Sequence, residues 1–372
     1  MKRKLDVVVD SKSWAPKPVP PEINARVGRR NIDVLVALIY TALVTRPPTI
    51  RGFHLSDYWA WLRYFPALAK CERLCLCQEW WDVDTHQKTV LSDELGVGFT
   101  TQFITEALDC SEFTDTLYVV NVLDPTKLKL MGGAKRGPQK SPDYIARDRS
   151  SNYIVLECKG TQSSRSALRD AIKRGQEQKR NISATNTAGI AHSLVAGLFI
   201  PQWQSKEYPC IRISDPGREE LEGLLSEQPK ARINDAITQI GLAKQFAMTG
   251  LGALPAYLGL SRTGALTELP DAARAEIKDR LGTVQGDYQV VFDSAVFPGR
   301  TPEGQTPTRA RFSVKTPPFV LERLISSHSI SEVITEIGET ERESPWKIHS
   351  SDLDAEVITP IGFGFRLQVE PH

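Results

Sequence analysis

The order of elements predicts an α/β fold. A mixed central sheet in α-β-β-β-α-β order is preceded by an N-terminal helical region and followed by a C-terminal mixed α+β region. Three observations predict it. Between residues 92 and 214 the hydrophobic repeat switches back and forth between the helical and the strand period. Two runs, "NYIVLEC" (152–158) and "HSLVAGLFI" (192–200), are apolar almost throughout, as strands covered on both faces are. Finally, 372 residues exceed the usual size of one core, so the chain divides into 1–90, 91–216 and 217–372.

The N-terminal 30 residues hold "APKPVPPE" and predict an irregular arm. Asn31 to Val44 predicts a buried helix with Asn31 as cap, and Ser56 to Ala69 a second helix dense in aromatic residues. Nucleobases stack on such rings, but aromatics at helical spacing usually pack inward, and core packing is the reading preferred. "CERLCLCQEW" (71–80) predicts an apolar helix.

In the central segment, "SDELGVGFTTQFITEAL" opens on a cap and an acidic first turn and predicts a helix from 92 to 108. Strands follow at "TLYVVNV" (116–122), "PDYIAR" (142–147) and "NYIVLEC", with a Lys- and Gly-rich loop at 124–140. "SRSALRDAIKRGQEQKRNI" (164–182) predicts a helix, and "HSLVAGLFI" and "CIRIS" (210–214) two more strands. Beyond Pro216, "GREELEGLLSE", "ARINDAITQIGLAKQFAM" and "PPFVLERLISS" predict helices. "DYQVVFDSAVF", "RARFSV" and "EVITPIGFGFRLQV" predict strands. This last region carries no recognisable chemistry.

Composition points to an ordinary folded chain: 41% hydrophobic, 24% charged, formal net charge +1. The longest apolar run, Ile32 to Val44, includes Asp33 and is too short to cross a bilayer, and the opening "MKRKLDVVVDSKSW" lacks a signal-peptide core. A soluble cytoplasmic protein without a membrane partner is expected. The six cysteines are too scattered for a disulfide scaffold. Cys71, Cys75, Cys77 and His86 lack the spacing of a structural zinc site, and buried thiols explain them better.

Chemistry concentrates in "SPDYIARDRSSNYIVLECKG" (141–160). Asp143 opens one expected strand and Glu157 lies near the end of the next. The short polar link "RDRSSN" makes these strands a hairpin and brings the two carboxylates together. Glu157 and Lys159 are two apart and share a face of the strand. Two carboxylates and the backbone carbonyl of Cys158 form a hard-oxygen set suited to Mg²⁺. Lys159 beside them can position or deprotonate a water, or stabilise charge developing on a phosphate.

This pattern, Pro-Asp, thirteen residues, then Glu-x-Lys, within the α-β-β-β-α-β order, resembles the PD-(D/E)xK nuclease superfamily of restriction-endonuclease-like fold. The resemblance covers residues 92 to 214. It implies that Asp143 and Glu157 hold the metal and that Lys159 assists the water. It also implies an acid from the preceding helix, for which Glu94 is chosen over Asp93 and Glu106. A Gln on the following helix is implied as well. Gln178 fits, sharing a stripe with Ala171, Gly175 and Ile182, whereas Gln176 lies off it. "LPDAARAEIKDR" shows how little the bare motif is worth: it holds Pro270, Asp271, Glu276 and Lys278 in a helical setting with the wrong gap.

The activity implied is Mg²⁺-dependent phosphodiester hydrolysis, with Mn²⁺ able to substitute. DNA is the expected substrate rather than RNA, cut internally, in restriction or anti-phage defence. The alternatives are a non-cutting nucleic-acid-binding module and an RNA-directed toxin-type nuclease. Charge favours a polyanion partner: 124–180 holds 14 Lys or Arg against 6 Asp or Glu, although the chain as a whole is +1. Lys127, Lys129, Lys135, Arg136 and Lys140 are the expected nucleic-acid contacts. "GGAKRGPQKS" lacks the Gly-Lys-Ser/Thr order of a phosphate-binding loop, so any motor or specificity function would come from a separate subunit. Two-strand cleavage would favour a homodimer.

Overall fold

The computed structural model describes all residues except 16, 50–59, 112, 124–141, 180–189, 216–227, 284–287, 296–307 and 372. Its centre is a mixed seven-stranded sheet in the order β2-β1-β7-β6-β5-β4-β3. The strands are β1 (Lys2–Val9), β2 (Gly28–Asp33), β3 (Thr114–Asp115), β4 (Tyr144–Arg147), β5 (Tyr153–Thr161), β6 (Ile190–Phe199) and β7 (Cys210–Ser214). β5 and β6 run parallel, as do β1 and β7, and the remaining neighbours are antiparallel. The apolar runs in β5 and β6 sit at the middle of the sheet, with Ile154, Leu156, Leu194 and Val195 fully buried.

Strand β1 was not expected from sequence. It precedes the proline-rich stretch and extends the sheet by pairing with β7, Asp6 opposite Cys210. The N-terminal helices are α1 (Pro21–Asn24) and α2 (Val34–Thr45). Asp33, not Asn31, caps α2, its carboxylate accepting from the Leu35 and Val36 amides. In the expected helix at 56–69, residues 60–67 form a 3-10 helix containing Pro66, with Tyr64 buried; Tyr58 and Trp59 lie outside the described residues. The expected apolar helix at 71–80 is not one. Leu74 and Leu76 spend their amides on the Lys4 and Pro201 carbonyls, which holds the segment extended before a 3-10 turn at Gln78–Asp82.

Helix α3 (Thr85–Leu108) begins a full two turns before the expected start at Ser92. Asp84 caps it by accepting from the His86 amide. Its first turns are largely exposed, so the apolar repeat appears only from Leu91 onward. The expected strand at 116–122 is also corrected: Thr116–Leu123 is helix α4, and β3 supplies only two residues before it. Val119, Val122 and Leu123 bury against Ile233, Ile237 and Ile240 of helix α6 (Lys230–Met248), and that packing selects helix over strand. Helix α5 (Arg165–Lys179) follows β5.

The C-terminal region adds α7 (Ala253–Leu260), α8 (Asp271–Thr283), α9 (Pro318–Ser326) and α10 (Ile330–Glu343). A five-stranded antiparallel sheet, order β10-β11-β12-β9-β8, comprises β8 (Gln289–Ala295), β9 (Thr308–Lys315), β10 (Lys347–Ser350), β11 (Asp354–Ile358) and β12 (Gly364–Pro371). The helix expected at 217–227 lies outside the described residues. The motif-like Glu276 is structural, since its carboxylate receives the Gly252, Ala253 and Leu254 amides at the start of α7. Among the described residues no helix is long and apolar enough to cross a membrane.

Candidate active site

The β4–β5 hairpin sets the geometry. Its connection is closed by Asp148, whose backbone and side chain both bond Asn152, with Ser151 in the left-handed region at φ 58°. Tyr144 pairs with Leu156 and Arg147 with Tyr153. The ladder ends at that first pair, and Asp143 lies in a bend just before β4, next to the Glu157 end of β5. Asp143 Oδ2 accepts from the Cys158 amide at 2.9 Å, which fixes the carboxylate across the hairpin mouth. The observed polar contact of Cys158 is thus through its N–H; its thiol faces away and meets Thr100 Oγ1 at 3.3 Å.

Glu157 and Lys159 point to the other side of β5, toward α5. A Cβ at Gly175 would stand 2.9 Å from Val195 Cγ1 and 3.2 Å from both Glu157 Cγ and Lys159 Cε, so the glycine lets α5 pack closely over the pair. Gln178 lies one turn further on the same helix, among residues whose side chains fall outside the described set. On the opposite face, α3 approaches β5 at backbone contact. A Cβ at Gly160 would lie 1.7 Å from the Ser92 carbonyl oxygen, and one at Gly96 would lie 2.5 Å from that of Lys159. Gly160→Ala must therefore push helix and strand apart. An overpacking loss of at least about 1–3 kcal/mol is expected, read as a lower midpoint in denaturant unfolding.

Electrostatically the site is a buried carboxylate with half of its valence used. The Glu157 side chain is 2% exposed, and its Oε1 accepts from Lys159 Nζ at 2.5 Å. The other oxygen, Oε2, is buried with no hydrogen-bond partner among the described residues. An ion pair alone leaves that oxygen unexplained, since orphaned buried acceptors are costly. Lys159 is 22% exposed. Burial pushes its ammonium pKa down, but Glu157 and then Asp143 outweigh burial and hold it above the ordinary lysine value. Burial likewise pushes the Cys158 thiol well up, with Asp143 adding to the rise.

The three candidate helix acids fall in different places. Glu106 is drawn away from the site, accepting from Gln102 Nε2 and lying near Arg26. Asp93 and Glu94 both flank the hairpin. Asp93 is exposed; the desolvation that raises its carboxyl is opposed by Lys159, and the exposure argues for a small rise. Glu94 is half-buried on α3; the Tyr144 hydroxyl pKa is raised by burial first, then by Asp115, Cys158 and Asp143, with Glu94 adding last. Since α3 covers the face opposite Glu157, either acid would reach the pair around the strand end rather than across it.

Among the described residues no three His, Cys, Asp or Glu side chains converge as a ready metal set. What is present fits a cation that needs few protein ligands: Asp143 and Glu157, whose Oε2 has no partner among the described residues, both oxygen donors. Mg²⁺ is commonly held by one or two carboxylates and completes its shell with water and substrate phosphate. The cysteine cluster does not fit zinc. Burial raises the Cys75 thiol to about 12 and the Cys77 thiol to about 11, and Cys71 Sγ meets Cys75 Sγ at 3.0 Å, with no third ligand converging on them among the described residues. Lys127, Lys129, Lys135, Arg136 and Lys140 lie outside the described residues. No family model matches the chain, and no significant match was found among curated proteins or solved structures.

Proposed function

We propose that this chain is a metal-dependent nuclease of PD-(D/E)xK type that hydrolyses phosphodiester bonds, acting on DNA and cutting internally. The observation that carries the proposal is the Oε2 of a buried Glu157, left without a partner among the described residues, beside Asp143 and with Lys159 on the same strand face. The restriction-endonuclease-like arrangement is part of the proposal. It is supported by α3 and α5 on opposite faces of the β4–β5 hairpin and by the run β4-β5-α5-β6, while the expected first strand is two residues long and is followed by helix α4. The preference for DNA and for a defence role rests on analogy with that fold.

In this reading Asp143 and Glu157 Oε2 would hold Mg²⁺, with the Cys158 carbonyl and Glu94 as further candidate oxygen donors. The ion would supply Lewis-acid polarisation of a phosphoryl oxygen and an acidified water. The chain's own residues do the rest. The Cys158 amide orients Asp143. Lys159, kept protonated by Glu157, presents a positive charge where negative charge develops on the phosphate.

The test is incubation of the full chain with plasmid, linear and single-stranded DNA and with RNA, in Mg²⁺ and in EDTA. Products from DNA in Mg²⁺ only are expected. Cleavage confined to RNA would move the protein to the RNA-directed class. No products on any of the four, with DNA still shifted in a gel, would leave a non-cutting binding module.

A further inference from the structure

We propose that Lys244 is a positioning residue for Asp143, so that helix α6 of the C-terminal region is part of the candidate active site. This rests on the nuclease reading of Asp143 and Glu157. Lys244 has no exposed side-chain surface, although it sits in the apolar run "IGLAKQFAM" where an aliphatic residue would pack without cost. Its ammonium donates to Asp115 Oδ2 at 2.6 Å and to the Val44 carbonyl of α2 at 2.7 Å, and lies 5.6 Å from the Tyr144 ring centroid.

Those partners lie around Tyr144, the residue next to Asp143. Asp115 faces Tyr144 across the β3–β4 ladder, and the next amide, of Thr116, donates to the Asp143 carbonyl at 3.2 Å. Lys244 therefore grips the residue that follows Asp143 and the strand that pairs beside it. The grip has a physical reason. β3 has two residues and β4 has four, at the edge of the sheet, and so short a ladder holds poorly by itself.

Helix α6 holds β4 at both ends. Arg147, the last residue of the strand, donates to Thr238 Oγ1 at 2.9 Å, to the Gly338 carbonyl at 2.8 Å and to Glu341 at 2.6 Å. Thr238 and Lys244 are six residues apart, a rise of about 9 Å on a helix. Tyr144 and Arg147 are three apart, about 10 Å on a strand. The two spans match, so one helix braces the strand along its length. Only the Lys244 end adjoins a proposed metal ligand.

The experiment compares full-length wild type with Lys244→Met, Asp115→Asn and Arg147→Met. Each is titrated with Mn²⁺ followed by electron paramagnetic resonance of the free ion, alongside an unfolding curve. Lys244→Met and Asp115→Asn should weaken Mn²⁺ binding on the order of 10- to 100-fold, as loss of ligand support typically does. Arg147→Met should lower the unfolding midpoint and leave Mn²⁺ affinity within about twofold, because it acts at the far end of β4. Asp115→Asn decides the matter if Lys244→Met does not fold. Unchanged Mn²⁺ affinity in the Lys244 and Asp115 variants, or an equal loss in Arg147→Met, would overturn the positioning role while leaving the nuclease reading intact. A wild type that binds no Mn²⁺ and cuts no substrate would overturn both.

Discussion

Glu157→Gln is expected to lower Mg²⁺-dependent cleavage at least about a hundredfold, while the protein stays folded and still binds nucleic acid. The amide keeps the shape of the carboxylate but not its charge, and it turns one of two acceptor oxygens into a donor. Glu157 Oε2 is the oxygen left over when Lys159 has taken Oε1, so the substitution removes the group that the proposed metal needs. The fold should survive, because Lys159 retains 22% exposure and can recover solvent contacts once its partner is neutral. Binding should survive because positive charge, not Glu157, makes phosphate contacts. Cleavage by Glu157→Gln within about threefold of wild type would show that the carboxylate is only half of an ion pair.

What could be read from sequence here was whatever depends on neighbours in the chain. The hairpin was legible because a short polar link joins two apolar runs, and strand alternation then puts Glu157 and Lys159 on one side of β5. The apolar centre of the sheet was legible in β5 and β6 for the same reason. What depends on remote packing was not. "TLYVVNV" has the composition of a strand, and only Ile233, Ile237 and Ile240, over a hundred residues away, make it a helix. The true start of α3 was hidden because its first turns face solvent and carry no apolar repeat.

The brace on β4 was hidden in a different way. A single lysine within an apolar helical run is a readable signal that something must neutralise it, but sequence does not say what. The partner, Asp115, is 129 positions earlier. The same limit applies to Glu276, which follows a Pro-Asp and precedes a Lys two residues on, and which holds the start of α7 through three amide contacts. In both cases burial and partners, not motif, separate a structural charge from a chemical one.

Lys159→Ala is expected to separate catalysis from binding. The variant keeps both carboxylates and so retains the oxygens for metal, but loses the cation beside them. Removing one such group should cost on the order of a hundredfold or more in cleavage rate. Affinity for DNA should change little, whereas neutralising Lys135, Arg136 and Lys140 should weaken binding and flatten its salt dependence with a smaller effect on the bound rate. The pH behaviour follows from the direction of the Lys159 shift. Its pKa in the folded protein lies above the ordinary value of 10.5, because Glu157 and Asp143 overcome burial. The pair's contribution to stability is therefore fully present below about pH 10.5 and fades only as pH rises through the folded-state value. The stability gap between wild type and Lys159→Ala should be flat through the neutral range and close only in strong alkali. A gap that closed near neutrality would mean that Lys159 loses its proton there. It would then act as the base that takes a proton from water, and the charge-stabilising role assigned to it would be wrong.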